Sequence, residues 1–188
     1  MTKFRLHTNQ TAPEGAAPLL DAAKKNVGMV PNLYAVMAES PQLLDAYQKV
    51  SAQFQASSLS AIERNIVWMA VNVEHECHYC VPAHTMIAKG SGVDEATIAA
   101  LRAARPLPDA RNEALKQFTL KVVRERGKVA DRDVDAFLAA GFTQRNVLDV
   151  VLGVAQKVMS NYVNHLADTP IDAPFKAFDW SPEEKKVR

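Results

Sequence analysis

Apolar residues return at steps of three and four along almost the whole chain, and no stretch shows the sustained apolar–polar alternation, rich in β-branched and aromatic residues, of a strand. The pattern predicts an all-α fold. Punctuation sets the expected boundaries. Ser40-Pro41 starts a helix over residues 42–56, with serine as the cap and proline where a missing N–H costs nothing. Val30-Pro31-Asn32 opens a shorter segment before it. Ser60-Ala61-Ile62-Glu63 has the form of a capping box, which predicts a helix to about His75 with Ile62, Ile66, Met69, Ala70 and Val73 on its core face. The next helix starts around Tyr79 to Pro82, since proline fits only the first turn, and stops before Gly90 and Gly92.

Farther on, Asp94 is expected to cap residues 95–104, and Asp109 a longer helix through Arg126 that Gly127 ends. Another helix spans 131–140, closed by Gly141. Thr143 caps a long one to about Leu166, and Pro170 and Pro174 introduce a tail expected to be extended. At 188 residues and 48% hydrophobic, the chain supports one sizeable core and is short for two. The expectation is one domain over 1–188, with its core at about 40–168 and the tail over 169–188. The long helix carries Val147, Leu148, Val150, Val151, Leu152, Val154, Ala155, Val158, Met159, Tyr162, Val163 and Leu166, a wider apolar surface than one stripe. A small domain would hardly cover it, so a homo-oligomer is expected to bury part of it between subunits.

Charge narrows the function classes. The formal net charge is +1, with no excess to draw the protein onto nucleic acid or an anionic membrane. Asp131 to Ala140, Gly141 and Thr143 to Gln156 outline a helix-turn-helix. Its second helix is largely apolar, offering only Gln144, Arg145, Asn146 and the following Lys157 to bases and phosphates, so two packed core helices is the favoured reading. No apolar run approaches a membrane span, and the polar opening over residues 1–10 lacks the hydrophobic region of a signal peptide. A cytoplasmic location is expected.

The chemistry concentrates in Glu74-His75-Glu76-Cys77-His78-Tyr79-Cys80-Val81-Pro82-Ala83-His84, which holds both cysteines. With Cys80 opening a helix, free amides and the dipole stabilise its thiolate, and His84 falls one turn on, on the same face, placed to take the thiol proton. After attack on a peroxide, the other thiol would capture the sulfenic acid as a disulfide. Two other readings stand beside this one. Cysteine pairs also fill core space, and Cys77, Cys80 and His84, with His75 or His78, offer a zinc-like ligand set. In a reducing compartment, Cys-x-x-Cys and its helix position favour redox chemistry.

This segment, preceded by a capped apolar helix, resembles the core of the AhpD-like alkylhydroperoxidases within the carboxymuconolactone decarboxylase superfamily. Gly28-Met29-Val30-Pro31-Asn32-Leu33, Ser40-Pro41-Gln42-Leu43-Leu44 and Asn161-Tyr162-Val163-Asn164-His165-Leu166 resemble its peroxidase-related branch. The resemblance implies a helical domain assembled into trimers, hexamers or larger rings that reduces organic hydroperoxides. It implies Cys80 as the peroxidatic thiol, Cys77 as the resolving one and His84 in a proton relay. No bound cofactor is implied, and electrons come from an external dithiol donor such as a lipoylated or thioredoxin-like protein.

Two departures from that pattern bear on the mechanism. The best-known members place a glutamate a dozen residues before the first cysteine, where this chain has Asn65, which takes up no proton. Glu74, ahead of Glu76, is the expected replacement, while Glu63 is explained by its capping role. Tyr79 stands where the founding member has histidine, and is expected to pack its ring rather than to bind peroxide. His75 and His78 are read as exposed turn residues. A decarboxylase acting on a lactone acid does not depend on a cysteine pair and is a minor alternative, beside a thiol sensor or metal-binding oligomer using the same residues.

Overall fold

The computed structural model of the protein describes residues 4–186; residues 1–3 of the polar opening and 187–188 of the tail lie outside them. The described residues form helices joined by short turns, with no strand. In chain order these are α1 (Ala17–Val27), α2 (Asn32–Met37), α3 (Pro41–Gln55), α4 (Ala61–Glu74), α5 (Cys80–Gly90), α6 (Glu95–Arg102), α7 (Ala110–Arg124), α8 (Asp131–Ala139) and α9 (Gln144–Ala167). The expected caps act as such: Ser40, Ser60, Asp94, Asp109 and Thr143 each accept a first-turn amide, and Ser60 with Glu63 closes the capping box. The helix absent from the sequence expectation is α1. Its signals were present, with Pro18 in its first turn, Lys24 and Lys25 in its last, and Gly28 at φ 80° closing it.

The central element is α4, buried on nearly every side and packed against α3, α5, α6, α7 and α9. Its expected core face holds at Ile66, Met69, Ala70 and Val73. Ile62, in the first turn, is 39% exposed instead, because the helix enters the core only after that turn. On one side Phe54, Val67 and Trp68 join the stacked rings of Phe118, Phe137 and Phe142. On the other, Leu20, Leu33, Met37, Leu44 and Tyr47 close around Cys77, Tyr79 and Cys80. The dithiol therefore lies inside a second apolar cluster built from the N-terminal helices, α5 and the tail.

The long helix α9 buries Val150 in the core, yet it also buries polar residues and leaves part of its apolar surface outside. Asn146, Gln156, Lys157, Ser160, Asn161 and Asn164 face inward and are buried, while Leu148 (70% exposed), Val151, Tyr162 and Leu166 (67% exposed) face outward. Lys157 is 1% exposed, so it is not presented to nucleic acid as a recognition helix would require.

The tail is folded rather than extended. It forms two 3-10 helices, Ala173–Phe178 and Pro182–Lys186, with Pro174 in the first turn of the first, where its fixed φ suits the helix. Buried Phe175 and Trp180 anchor it. Arg102 clasps it, donating to the Phe178 and Asp179 carbonyls at 2.9 and 2.8 Å and to Glu184 at 2.9 Å. Proline punctuation signalled the end of α9 but not the apolar anchors that fold the segment back.

Candidate active site

After α4 ends, His75 caps it and Glu76 takes a left-handed conformation, φ 54°, which reverses the chain. The Cys77 amide then donates back to Asn72 O at 3.0 Å, and Cys80 becomes the first residue of α5. The Cys80 amide, free of any helical partner at that position, donates to Cys77 Sγ at 3.3 Å. Both thiols are free and buried. The expected juxtaposition of the pair at a helix start is present.

The rest of the site comes from α9. Asn164 Nδ2 lies 3.1 Å from Cys80 Sγ and 3.9 Å from Cys77 Sγ, and Ser160 Oγ is 4.0 Å from Cys80 Sγ. Lys157 Nζ lies 2.7 Å from His84 Nε2. An ammonium only donates, so His84 Nε2 accepts, and the imidazole proton belongs on Nδ1, a buried atom with no protein partner. Trp68 tilts over the His84 ring, centroids 5.1 Å apart, and its Nε1 donates to Gln156 Oε1 at 2.7 Å. Asn161 Nδ2 donates to Asn72 Oδ1 at 2.9 Å, and Asn161 Oδ1 holds His75 Nδ1 at 2.9 Å. His78 Nε2 donates to the Thr169 carbonyl at 3.1 Å. Both of these histidines are half-buried members of turns rather than exposed.

Electrostatics separates the two thiols. Burial pushes the Cys80 thiol up, but the Cys77 hydrogen bond, the Lys157 charge and the amides of Asn164 and Asn161 outweigh it and hold it down at about 6. Burial and the neighbouring Cys80 both drive Cys77 up, so the thiolate of the pair belongs to Cys80. Burial and then the Lys157 charge push His84 well below its ordinary value. His84 is in the site, but with Nε2 engaged it is a neutral acceptor and not a free base.

Glu74 is not in the site. It forms a two-pronged pair with Arg124, 2.7 and 2.8 Å, and lines a different cavity with Leu120, Lys116 and Lys185; the Arg124 hydrogen bonds lower its pKa against a smaller burial effect. Glu76 pairs with Lys185 at 2.5 Å. Proximity in sequence misplaced both, because the left-handed turn at Glu76 separates the α4 terminus from the thiols. Glu74→Gln is expected to leave the pH dependence of thiol alkylation unchanged and to cost less than about 1 kcal/mol, since the pair is partly solvated. A displaced alkylation profile would return Glu74 to the relay. Glu63 closes its capping box and pairs with Arg111. Asn65 is buried, its Nδ2 donating to Ala61 O at 2.9 Å and its Oδ1 without a protein partner. The Tyr79 hydroxyl donates to Asp172 at 2.5 Å and accepts from the Leu33 amide at 3.3 Å, and its ring packs on Phe175.

Cys80, His84 and Lys157 share the wall of a cavity of about 170 Å³ whose other residues are apolar or aromatic, among them Tyr34, Tyr47, Tyr79 and Phe175. Among the described residues no group of three or more His, Cys, Asp and Glu side chains is placed to hold a metal ion. Sequence reasoning missed Lys157, Ser160, Asn161 and Asn164. Their spacing of three, four and seven was a legible polar stripe, overlooked because the apolar face of the same helix was the stronger signal.

The segment from the end of α2 through most of α7 matches a known family. Residues 38–120 form a carboxymuconolactone decarboxylase family domain. The match falls on the stretch that carries the motif and on the family that motif resembles. The family domain contains Asn65, Cys77, Cys80 and His84, while Lys157 and Asn164 lie beyond it. No curated protein matches the sequence. Among solved structures, an AhpD-core peroxidase-related protein from Ralstonia eutropha JMP134 is 20% identical, with TM-score 0.82 over 93% of this chain and 94% of its own. A peroxidase-related protein from Silicibacter sp. TM1040 is 23% identical, with TM-score 0.79 over 93% of each chain. A substituted form of the debrominase Bmp8, in complex with 2,3,4-tribromopyrrole, is 16% identical, with TM-score 0.76 over 94% of this chain and 95% of its own. At these identities the likeness is one of fold.

Proposed function

We propose that this protein is a thiol-dependent peroxidase for organic hydroperoxides. A peroxidase-related function of the AhpD type is the reading that family and fold support, and one observation carries the finer one. Cys80 is the more acidic of two buried, adjacent thiols, and it opens onto a mostly apolar cavity. The Cys80 thiolate attacks the terminal oxygen of the hydroperoxide, the S–O bond forms, the O–O bond breaks and the electron pair leaves on the alkoxide, which takes a proton to become the alcohol. Cys77 then attacks the sulfenic sulfur, giving the disulfide and water. An external dithiol, lipoylated or thioredoxin-like, restores both thiols, and a reducing cytoplasm suits that cycle.

The test is consumption of cumene hydroperoxide by metal-free protein supplied with a dithiol reductant. Sustained turnover is expected. No turnover with both thiols confirmed reduced would overturn the peroxidase reading and leave a thiol sensor. A second reading, reductive debromination, is favoured by the tyrosines and Phe175 around the cavity, which suit an aromatic substrate, and by the fold shared with a debrominase. Bromide release from a bromopyrrole without hydroperoxide turnover would select it.

The assembly belongs to the same proposal. Leu148, Val151, Tyr162 and Leu166 stand exposed on one helix, an apolar surface suited to a second copy of this chain. A trimer or hexamer is expected, and a monomer mass at all concentrations in light scattering would remove it.

A further inference from the structure

With Asn65 unable to carry a proton and Glu74 and Glu76 bound elsewhere, the site needs another group to manage the protons of the reaction. Lys157 is placed for it. The side chain is 1% exposed and its one hydrogen bond within the described structure is the 2.7 Å contact to His84, leaving two of three N–H donors unspent. It lines the same cavity as Cys80. A buried ammonium requires a compensating anion. The cavity wall contains no carboxylate, and its three phenols, Tyr34 on α2, Tyr47 on α3 and Tyr79 at the α4–α5 turn, are all driven up by burial and stay neutral. Asp172, packed from the tail, is spent on Tyr79 and on the Asn32 amide. His84 on α5 is neutral, and Cys77 is the less acidic thiol. The anion left for Lys157 is the sulfur of Cys80.

We propose that Lys157 is a catalytic residue of this site: its ammonium pairs with the Cys80 thiolate and gives a proton to the alkoxide that leaves when a hydroperoxide is cut. The second half of this rests on the peroxidase reading; the pairing does not. The balance closes. Thiolate and ammonium enter together. Attack forms the S–O bond, breaks O–O and releases the alkoxide, which takes a proton from Lys157 and leaves as the alcohol. Cys77 displaces the sulfenic oxygen as water, its thiol proton leaving with that oxygen. The oxidised site thus holds a disulfide and a neutral amine. The external dithiol reduces the disulfide to two thiols, and the Cys80 thiol proton returns to Lys157. His84 is the positioning residue, since its Nε2 fixes the direction of the Lys157 amine.

Two measurements test this. In Lys157→Met the pH midpoint of Cys80 alkylation is expected to rise from about 6 toward the ordinary cysteine value, which at pH 7 lowers the rate of alkylation roughly thirtyfold. Lys157→Arg, which keeps the charge, should recover part of the loss. Hydroperoxide turnover should fall in Lys157→Met even at pH values where its thiol is ionised, because the proton donor is gone. An alkylation profile coincident with wild type overturns the proposal whatever the turnover does. A shifted profile in a protein that never consumes hydroperoxide supports the pairing and overturns the peroxidase reading instead. The second measurement needs no substitution. NMR of lysine labelled at Cε should show Lys157 as an ammonium in the dithiol protein and an amine in the disulfide protein at neutral pH. The same protonation in both states overturns the proposal.

Discussion

Cys80→Ser is expected to lose all hydroperoxide turnover, whereas Cys77→Ser is expected to complete one oxidation and stop at a sulfenic acid on Cys80. The asymmetry follows from the site. Cys80 carries the hydrogen bonds of Asn164 and Cys77 and the Lys157 charge, and it is the thiol held down at about 6. Cys77 accepts the Cys80 amide but is pushed up by burial, so it attacks slowly until a sulfenic acid is beside it. Stopped-flow oxidation with one equivalent of hydroperoxide, followed by trapping of the sulfenic acid, reads both variants. In Cys77→Ser the single event should run at a rate within severalfold of wild type at alkaline pH, and more slowly at pH 7, because the Cys77 hydrogen bond also stabilises the thiolate. Equal residual turnover in the two variants, or oxidation that survives in Cys80→Ser, would reverse the assignment.

The largest stability effect is expected at a glycine. A Cβ at Gly153 would meet Cε2 and Cζ of Phe54 at 2.7 Å and Cγ1 of Val67 at 2.8 Å, and both neighbours are completely buried. Here α9 crosses α3 and α4 at a distance that only a bare Cα permits. Gly153→Ala gains helix propensity of about 1 kcal/mol but forces the core apart, at about 1–3 kcal/mol, so a net loss is expected, deeper in Gly153→Val. Gly90, in the last turn of α5 with nothing within 4 Å of a Cβ, is the control: Gly90→Ala should be neutral or slightly stabilising. Urea midpoints at unchanged slope read both. Since Lys157 lies one turn beyond Gly153, Gly153→Ala should also slow thiol alkylation at pH 7 while Gly90→Ala does not. A Gly153→Ala protein as stable as wild type would mean that α9 shifts without cost.

What the sequence made legible was whatever is encoded locally. Caps such as Ser60 with Glu63 and stops such as Gly141 act through neighbours three or four residues away, so most helices and the Cys77–Cys80–His84 spacing could be read directly. What it hid depends on distant packing. Glu74 is near the thiols along the chain and bound to Arg124, fifty residues on, in space. The tail folds back because Phe175 and Trp180 find pockets that no local pattern reveals. On α9 the wide apolar surface was legible, and part of it stands exposed as expected, but nothing local showed that the polar stripe of Lys157, Ser160, Asn161 and Asn164 turns inward. Burying Lys157 and three amide or hydroxyl side chains is worthwhile only where each meets a partner, and those partners sit on α4 and α5.

The burial of Lys157 also says how relatives should be sorted. The cysteine pair and its histidine lie within residues 38–120, but the group that charges the thiol is contributed from position 157, outside that stretch. Two sequences can therefore share the Cys-x-x-Cys signature in full and differ in the acidity of the sulfur that reacts. Grouping such proteins by the residue seventy-seven positions after the second cysteine (157 − 80 = 77) would separate chemistries that the signature alone merges.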